Sequence, residues 1–238
     1  MSKIKIIIAT QHKKAEDTII RKSMLKLKQL YPHKIVPVYF LENKIGLGEL
    51  YQTQLEKCEK DIDYLLFVHD DLAIYDSFFM EKLDEGFKHA GVVGLAGSTI
   101  INMRGTKLAW HNCRREHVRG TVGHPYINDN YQTFYNTFGV CGPGADVACI
   151  DGLFIGLNMK VCRGKTLFSP LFKWDFYDFS FSVLCAFEGI KINIPGLICK
   201  HFSHGEGLRN DNYDKTQKIF LKWFKETQEK YKEAKGGA

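Results

Sequence analysis

Residues 64–71 read Tyr64-Leu65-Leu66-Phe67-Val68-His69-Asp70-Asp71. The five leading apolar residues have the pattern of a strand buried in a parallel sheet. A histidine and two carboxylates follow without a spacer. In open α/β sheets, ligands bind outside the carboxyl ends of the strands, so this cluster stands where chemistry is expected. Adjacent acids repel unless a cation offsets them. The pattern points to a divalent metal and, through it, to a phosphate-bearing substrate.

Working outward, Lys3 to Ala9 is a first apolar strand that ends at Thr10-Gln11-His12. A helical pattern runs from about residue 16 to 30, with Ile19, Ile20, Met24, Leu27 and Leu30 on one face. Ile35 to Phe40 is a second strand, closed by Leu41-Glu42-Asn43. Ile45-Gly46-Leu47-Gly48 then leads into a helix over about 49–58. Ser77 is placed to cap a helix that reaches about His89, and Gly91 to Leu95 is a fourth strand. This alternation predicts a doubly wound α/β domain with a mostly parallel central sheet flanked by helices.

From about Thr99 to Ala145 the pattern changes to Gly, Asn, His, Arg and aromatics without a period. Such a stretch inside a compact domain reads as an irregular, substrate-facing insertion. Its aromatics, Trp110, Tyr126, Tyr131, Phe134, Tyr135 and Phe138, argue against disorder. Strand character returns at 147–150 and 153–157, around Asp151-Gly152. A helix over 176–187 ends before Gly189. Late strands at 191–194 and 197–200 precede a final helix from about 213 to 234. No repeat or linker divides the chain, so one domain over 1–238 is expected.

The 238 residues are 45% hydrophobic and 25% charged, enough to bury a sizeable core. The net charge of +6 is spread, with no arginine-rich arm, which argues against nucleic acid as a partner. None of the seven cysteines forms a CxxC pair, which disfavours a zinc ribbon or thioredoxin motif. Scattered thiols, no signal-peptide pattern and no apolar run of roughly 20 residues lead to the expectation of a cytoplasmic protein. The last helix carries Ile219, Phe220, Trp223, Phe224 and Tyr231 among six lysines. It either packs on the domain or lies as a basic amphipathic helix on a membrane surface.

Three further constellations bear on chemistry. His201-Phe202-Ser203-His204-Gly205 follows a strand, and imidazoles serve as ligands or proton carriers. A histidine beside Asp71 shifts metal preference toward Mn²⁺ over Mg²⁺. Trp174-Asp175-Phe176-Tyr177-Asp178-Phe179 opens a helix. An acid there either stabilises the helix N-terminus or acts as a general base whose pKa burial raises. Ile45-Gly46-Leu47-Gly48-Glu49-Leu50-Tyr51 has Tyr51 where a third glycine would complete a dinucleotide-binding fingerprint, so that motif is rejected. A Walker A loop and a nucleophile elbow are absent as well.

In order, the chain offers FVHDD, GVVGLAG, a DG pair, WDFYDFSFSVLCAFEGIKI and HFSHG. This succession resembles the GT-A glycosyltransferases, in the family 2-like group whose metal motif begins with His instead of Asp. The resemblance implies a nucleotide-sugar-binding half over 1–98, an acceptor half over 99–212, and a C-terminal helix and tail over 213–238. It implies that Asp71 and His201 hold Mn²⁺ or Mg²⁺. Thr10, Glu42, Asn43, Gly46, Gln52, His69 and Asp70 are then expected around the nucleotide. Tyr177-Asp178 matches the family's ED motif, with Tyr in place of Glu, and makes Asp178 the expected catalytic base. Trp110, Asp151, Gly152, Asp175 and His204 are expected on the acceptor and sugar side.

The implied reaction moves one sugar, with inversion, from a nucleotide sugar, uridine-linked by expectation, to a glycan or lipid-linked saccharide. Arg104, Arg114, Arg115 or Arg119 would clamp phosphate on a lipid diphosphate acceptor. Two other readings stay open: a metal-dependent phosphoester or nucleotide hydrolase, and a non-catalytic nucleotide-sugar-binding protein. Nothing in the sequence specifies an oligomeric state.

Overall fold

A computed structural model describes residues 2–103, 108–125, 133–137, 140–202 and 211–234. In chain order the elements begin with β1 (Ile4–Ala9), α1 (Ile20–Leu30), β2 (Ile35–Phe40), α2 (Leu47–Glu56), β3 (Tyr64–Val68), β4 (Leu72–Ile74), α3 (Phe79–His89), β5 (Val92–Gly94) and β6 (Ala96–Ser98). They continue with β7 (Val118–Pro125), β8 (Thr133–Thr137), β9 (Asp146–Val147), β10 (Cys149–Ile150), β11 (Phe154–Asn158), α4 (Met159–Cys162), α5 (Tyr177–Phe187), β12 (Ile192–Asn193), β13 (Cys199–His201) and α6 (Asp211–Ala234).

The main sheet has the order β2-β1-β3-β11-β5-β12-β9. β1 pairs in parallel with β2 and β3, and β12 pairs in parallel with β5. β11 lies antiparallel between β3 and β5, so those two strands also share a direction. β9 closes the far edge antiparallel to β12. Side chains alternate faces along a strand, and the core divides accordingly. Ile4, Ile6 and Ile8 of β1, with Leu66 and Val68 of β3, face Ile20, Met24 and Leu27 of α1 and Phe79, Met80 and Leu83 of α3. Ile7, Leu65 and Phe67 face the other way, in the cluster of Leu50, Tyr51 and Leu55 of α2, Phe179, Phe181 and Val183 of α5, and Phe220 of α6. The result is a sheet between two helical layers.

Several expectations need correction. The helix expected from residue 16 begins at Ile20, behind a 3-10 turn at Ala15–Asp17. Ser77 does not cap α3. The Oδ1 of Asp76 accepts the Phe78 N–H at 3.0 Å, and Ser77 offers its carbonyl to the Tyr31 hydroxyl at 2.8 Å. The region expected to be irregular contributes β7 and β8 to a second sheet of order β10-β6-β7-β13-β4, with β8 paired to β7. The two strands pair with each other, and β7 also reaches β6 and β13, while its glycines and polar residues leave no regular alternation to read. The chain crosses between sheets at Leu95, from β5 to β6.

α6 packs most of its apolar residues on the domain, while Ile219 stays exposed. Phe220 is fully buried against Phe172, Phe176 and Phe179, and Phe224 packs on Phe187. Among the described residues, no helix is long and apolar enough to cross a membrane.

Candidate active site

Strand pairing assembles the site. β11 pairs with β3 so that Phe154 opposes Val68, and the His69 N–H donates to the Leu153 carbonyl at 3.1 Å. Asp151-Gly152 is thereby brought beside His69-Asp70-Asp71. β13 pairs with β4 so that His201 opposes Leu72, and the Phe202 N–H donates to the Asp71 carbonyl at 2.9 Å. α5 reaches the same point from the opposite layer: the Gly152 N–H donates to Oδ2 of Asp178 at 3.2 Å.

His69, Asp71 and His201 offer ligand atoms that all lie within 4.8 Å of one another. Oδ1 of Asp71 lies 3.2 Å from Nε2 of His201 and 3.9 Å from Nδ1 of His69. The Asp71 and His201 atoms are buried and have no hydrogen-bond partner. They are close enough for an ion pair and misaligned for a hydrogen bond. Burial alone would raise the Asp71 carboxyl, but the two imidazoles outweigh it and hold the group below the usual carboxylate range. Burial would lower His201, and the contact with Asp71 outweighs it and pushes the imidazole up. His69 goes the other way: burial holds it below the usual range despite the pull of Asp71. One carboxylate and imidazole nitrogen with unspent capacity suit a divalent cation such as Mn²⁺.

Asp178 lies in the first turn of α5. Its Oδ1 accepts its neighbour Phe179 N–H at 2.8 Å. Burial, reinforced by the charge of Asp151, pushes this carboxyl up to about 7, against the lowering effect of the backbone donors. The helix starts from strained backbone. Phe176, its N-cap, has φ 63, a left-handed conformation that costs a non-glycine residue about 1–3 kcal/mol. Its ring stacks on Phe220 and packs against Tyr213 and Phe179, so α6 helps to hold the turn that aims Tyr177 and Asp178.

Beside the carboxylate cluster is a pocket of about 480 Å³ including its open mouth, lined by Ala9, Thr10, Gln11, Asn43, Leu47, Tyr51, His69, Asp70 and Trp174. The Thr10 hydroxyl donates to Oδ2 of Asp70. Asn43 is nearly buried, and its side chain shapes the loop through Ile45, by a 2.8 Å bond to the carbonyl and a 3.2 Å bond from the N–H. Tyr51 stacks on Phe67 at 4.2 Å and meets Tyr177 edge-on.

The expected residues are not all brought together. Gln52 is not among the residues lining this pocket. Its Oε1 accepts the Leu167 and Phe168 N–H groups at 3.0 Å each, and its Nε2 donates to Lys165 and Glu56. It ties α2 to the 165–168 turn. Gly46 also stands outside that lining. A Cβ there would press on Lys173, and one at Gly48 would strike the carbonyls of Ser169 and Phe172. The two glycines dock α2 on the 169–173 loop. Glu42 is exposed at the end of β2, outside the pocket lining. Gly152 is needed for space, since a Cβ would collide with the Tyr177 hydroxyl. Trp110 donates from Nε1 to Oδ2 of Asp151 at 2.6 Å, and Oδ1 of Asp151 accepts the Leu153 N–H at 2.9 Å. Asp175 is half-buried, and burial raises its carboxyl. His204 and Arg104 lie outside the described residues.

Sequence reasoning gave no role to Tyr177, Trp174, Tyr51 or His124. Tyr177 places its hydroxyl 2.8 Å from Nε2 of His69. The His124 ring, on β7, lies 5.8 Å from that of His201. The available signal for Tyr177 and Trp174 was the motif that also carries Asp178. His124 gave none.

A family model described as "Glycosyltransferase like family" matches residues 6–224. The chain belongs to this glycosyltransferase-like family. The layered sheet, with the acids beyond the end of β3, is the GT-A-type fold. Three solved structures are similar to this glycosyltransferase. A197 from STIV is 11% identical with a TM-score of 0.48, the match covering 84% of this chain and 86% of that one. GalNAc-T7, solved with UDP, GalNAc and Mn²⁺, is 11% identical with a TM-score of 0.48; the match covers 87% of this chain but 45% of that one. TarS 1-349 of S. aureus is 11% identical with a TM-score of 0.36, covering 84% and 60%. No curated protein matches the sequence.

Proposed function

We propose that this glycosyltransferase moves a single sugar, with inversion, from a uridine diphosphate sugar to a hydroxyl of a glycan or lipid-linked saccharide. The observation that carries the reading is the convergence of Asp178, held by the Gly152 N–H at 3.2 Å, with the His69–Asp71–His201 cluster at one end of the sheet; burial raises the Asp178 carboxyl to about 7. A base is most effective when its pKa lies near the working pH. Asp178 takes the acceptor hydroxyl's proton as that oxygen attacks the anomeric carbon.

Asp71 and His201 would hold Mn²⁺ or Mg²⁺, through the two buried atoms that face each other without partners. When bound, the metal offsets charge growing on the leaving diphosphate. Thr10, Asn43 and Asp70 border the nucleotide, and Tyr51 and Trp174 supply apolar wall. Trp110, Asp151 and Asp175 take the acceptor side. The reading extends to a cytoplasmic enzyme whose exposed α6 lysines face an anionic membrane surface.

Trp174 is about half exposed at the pocket, one of three tryptophans in the chain, and serves as a reporter. Titrating uridine diphosphate into the protein should quench tryptophan fluorescence only with Mn²⁺ present. The quench should vanish in Asp71→Asn and in Trp174→Phe. No response to any nucleoside diphosphate would overturn the proposal. A response to a different base would reassign the donor and keep the chemistry.

A further inference from the structure

The Tyr177 hydroxyl is buried beside Gly152, and its one hydrogen bond among the described residues is to Nε2 of His69. A buried hydroxyl needs an acceptor for its hydrogen. The lone pair of Nε2 is the acceptor present. A neutral imidazole that accepts at Nε2 carries its hydrogen on Nδ1. Nδ1 is the atom that looks toward Oδ1 of Asp71, at 3.9 Å, too far for a hydrogen bond. A protonated ring nitrogen cannot ligate a metal.

We infer that Tyr177 locks His69 in the Nδ1–H form and makes it a hydrogen-bond donor to the donor substrate's diphosphate instead of a third metal ligand. The inference rests on the metal-diphosphate reading above for its ligand, but the tautomer itself does not. Tyr177 is a positioning residue in this scheme. Its neighbour Asp178 lies in the same helical turn, so one turn of α5 sets both the base and the hydrogen of His69. Gly152 belongs to the device, because no side chain fits between the hydroxyl and β11.

The decisive experiment is a long-range proton–nitrogen correlation spectrum of the full chain with ¹⁵N-labelled histidine, metal-free and near neutral pH. His69 is assigned by its loss in His69→Gln, with His69→Asn as a second variant. The expected spectrum shows a lone-pair nitrogen at Nε2 and a protonated Nδ1. In Tyr177→Phe the lock is gone, and the signals should move toward the mixture of tautomers. An Nε2–H pattern in the wild type, or identical spectra for wild type and Tyr177→Phe, would overturn the inference.

Mn²⁺ binding without nucleotide, read by water proton relaxation, supplies the second test. His69→Gln should bind Mn²⁺ nearly as wild type, whereas Asp71→Asn should lose more than the roughly tenfold typical of an outer-shell change. A loss of that size in His69→Gln would make His69 a ligand and overturn the assignment. If Asp71→Asn binds Mn²⁺ unchanged, the metal reading fails, while the nitrogen spectrum still decides the tautomer.

Discussion

Asp71, just past the end of β3, and Asp178, at the start of α5, are both partly buried, yet their carboxyls shift in opposite directions. Asp71 lies between two imidazoles that hold it below the usual range. Asp178 has the carboxylate of Asp151 as its charged neighbour and is pushed up to about 7. Burial acts on both in the same sense. For Asp178 burial is the larger cause and the charge of Asp151 adds to it, whereas for Asp71 two imidazoles override burial. The difference gives each acid a different capacity: Asp71 stays ionised and suits a cation, and Asp178 exchanges a proton near neutrality.

The comparison breaks most visibly if the two acids are exchangeable. Asp178→Asn should lower kcat by about 10²–10⁴-fold, the usual contribution of a general base, with little change in donor KM. Asp71→Asn should instead act through donor KM and the Mn²⁺ requirement. Steady-state kinetics at several Mn²⁺ concentrations separates them. Matching losses of kcat with unaltered Mn²⁺ dependence would erase the distinction.

The same contrast has a stability side. Asp178 has a folded pKa of about 7 against an ordinary value of 3.8. Between those values the folded chain binds the proton more tightly than the unfolded chain. Stability therefore falls as pH rises through that window and levels off above about 7. Asp178→Asn removes the penalty and should stabilise the protein above neutral pH by up to about 4 kcal/mol, with a smaller gain toward pH 4. Asp71 has the opposite sign: its contribution is present above the unfolded pKa and fades as pH falls through the depressed folded value. Denaturant midpoints on both sides of neutrality measure each effect. An Asp178→Asn midpoint no higher than wild type at alkaline pH would mean that the buried carboxylate costs nothing.

Legibility from sequence follows the same local-versus-distant line. β1 and β3 are continuous apolar runs, so the strands and the acids behind β3 could be read directly. The helix that carries Asp178 was legible for the same reason. β4 was not, because three residues after His69-Asp70-Asp71 are too few to show a period. β7 was not, because Gly120, Gly123 and His124 break any alternation of apolar and polar residues along it, although it pairs with its sequence neighbour β8 as well as with β6 and β13. Pairwise contacts such as His69 with Tyr177 have no spacing signal.

Gln52 contrasts a motif position with the partners it makes in the fold. Its amide oxygen holds two buried backbone donors, at Leu167 and Phe168. Gln52→Ala should therefore destabilise the fold by about 2–3 kcal/mol while leaving donor KM unchanged. A several-fold rise in KM with an unshifted unfolding midpoint would return Gln52 to the nucleotide site.

The finest test alters the charge next to Asp178 and leaves the acid itself intact. Burial is the larger cause of its raised pKa and Asp151 the next. Asp151→Asn should therefore lower the acid limb of the kcat/KM profile from about 7 by about one unit, or 1.4 kcal/mol, and not return it to the ordinary range. Asn can keep one oxygen for the Leu153 N–H but loses an acceptor for the Trp110 indole. Trp110→Phe is the control, because it removes that hydrogen bond and keeps the charge. The acid limb should stay near its wild-type position in Trp110→Phe and move in Asp151→Asn. Equal shifts in the two would assign the effect to packing around Asp151, and the contrast between Asp71 and Asp178 would then rest on burial alone.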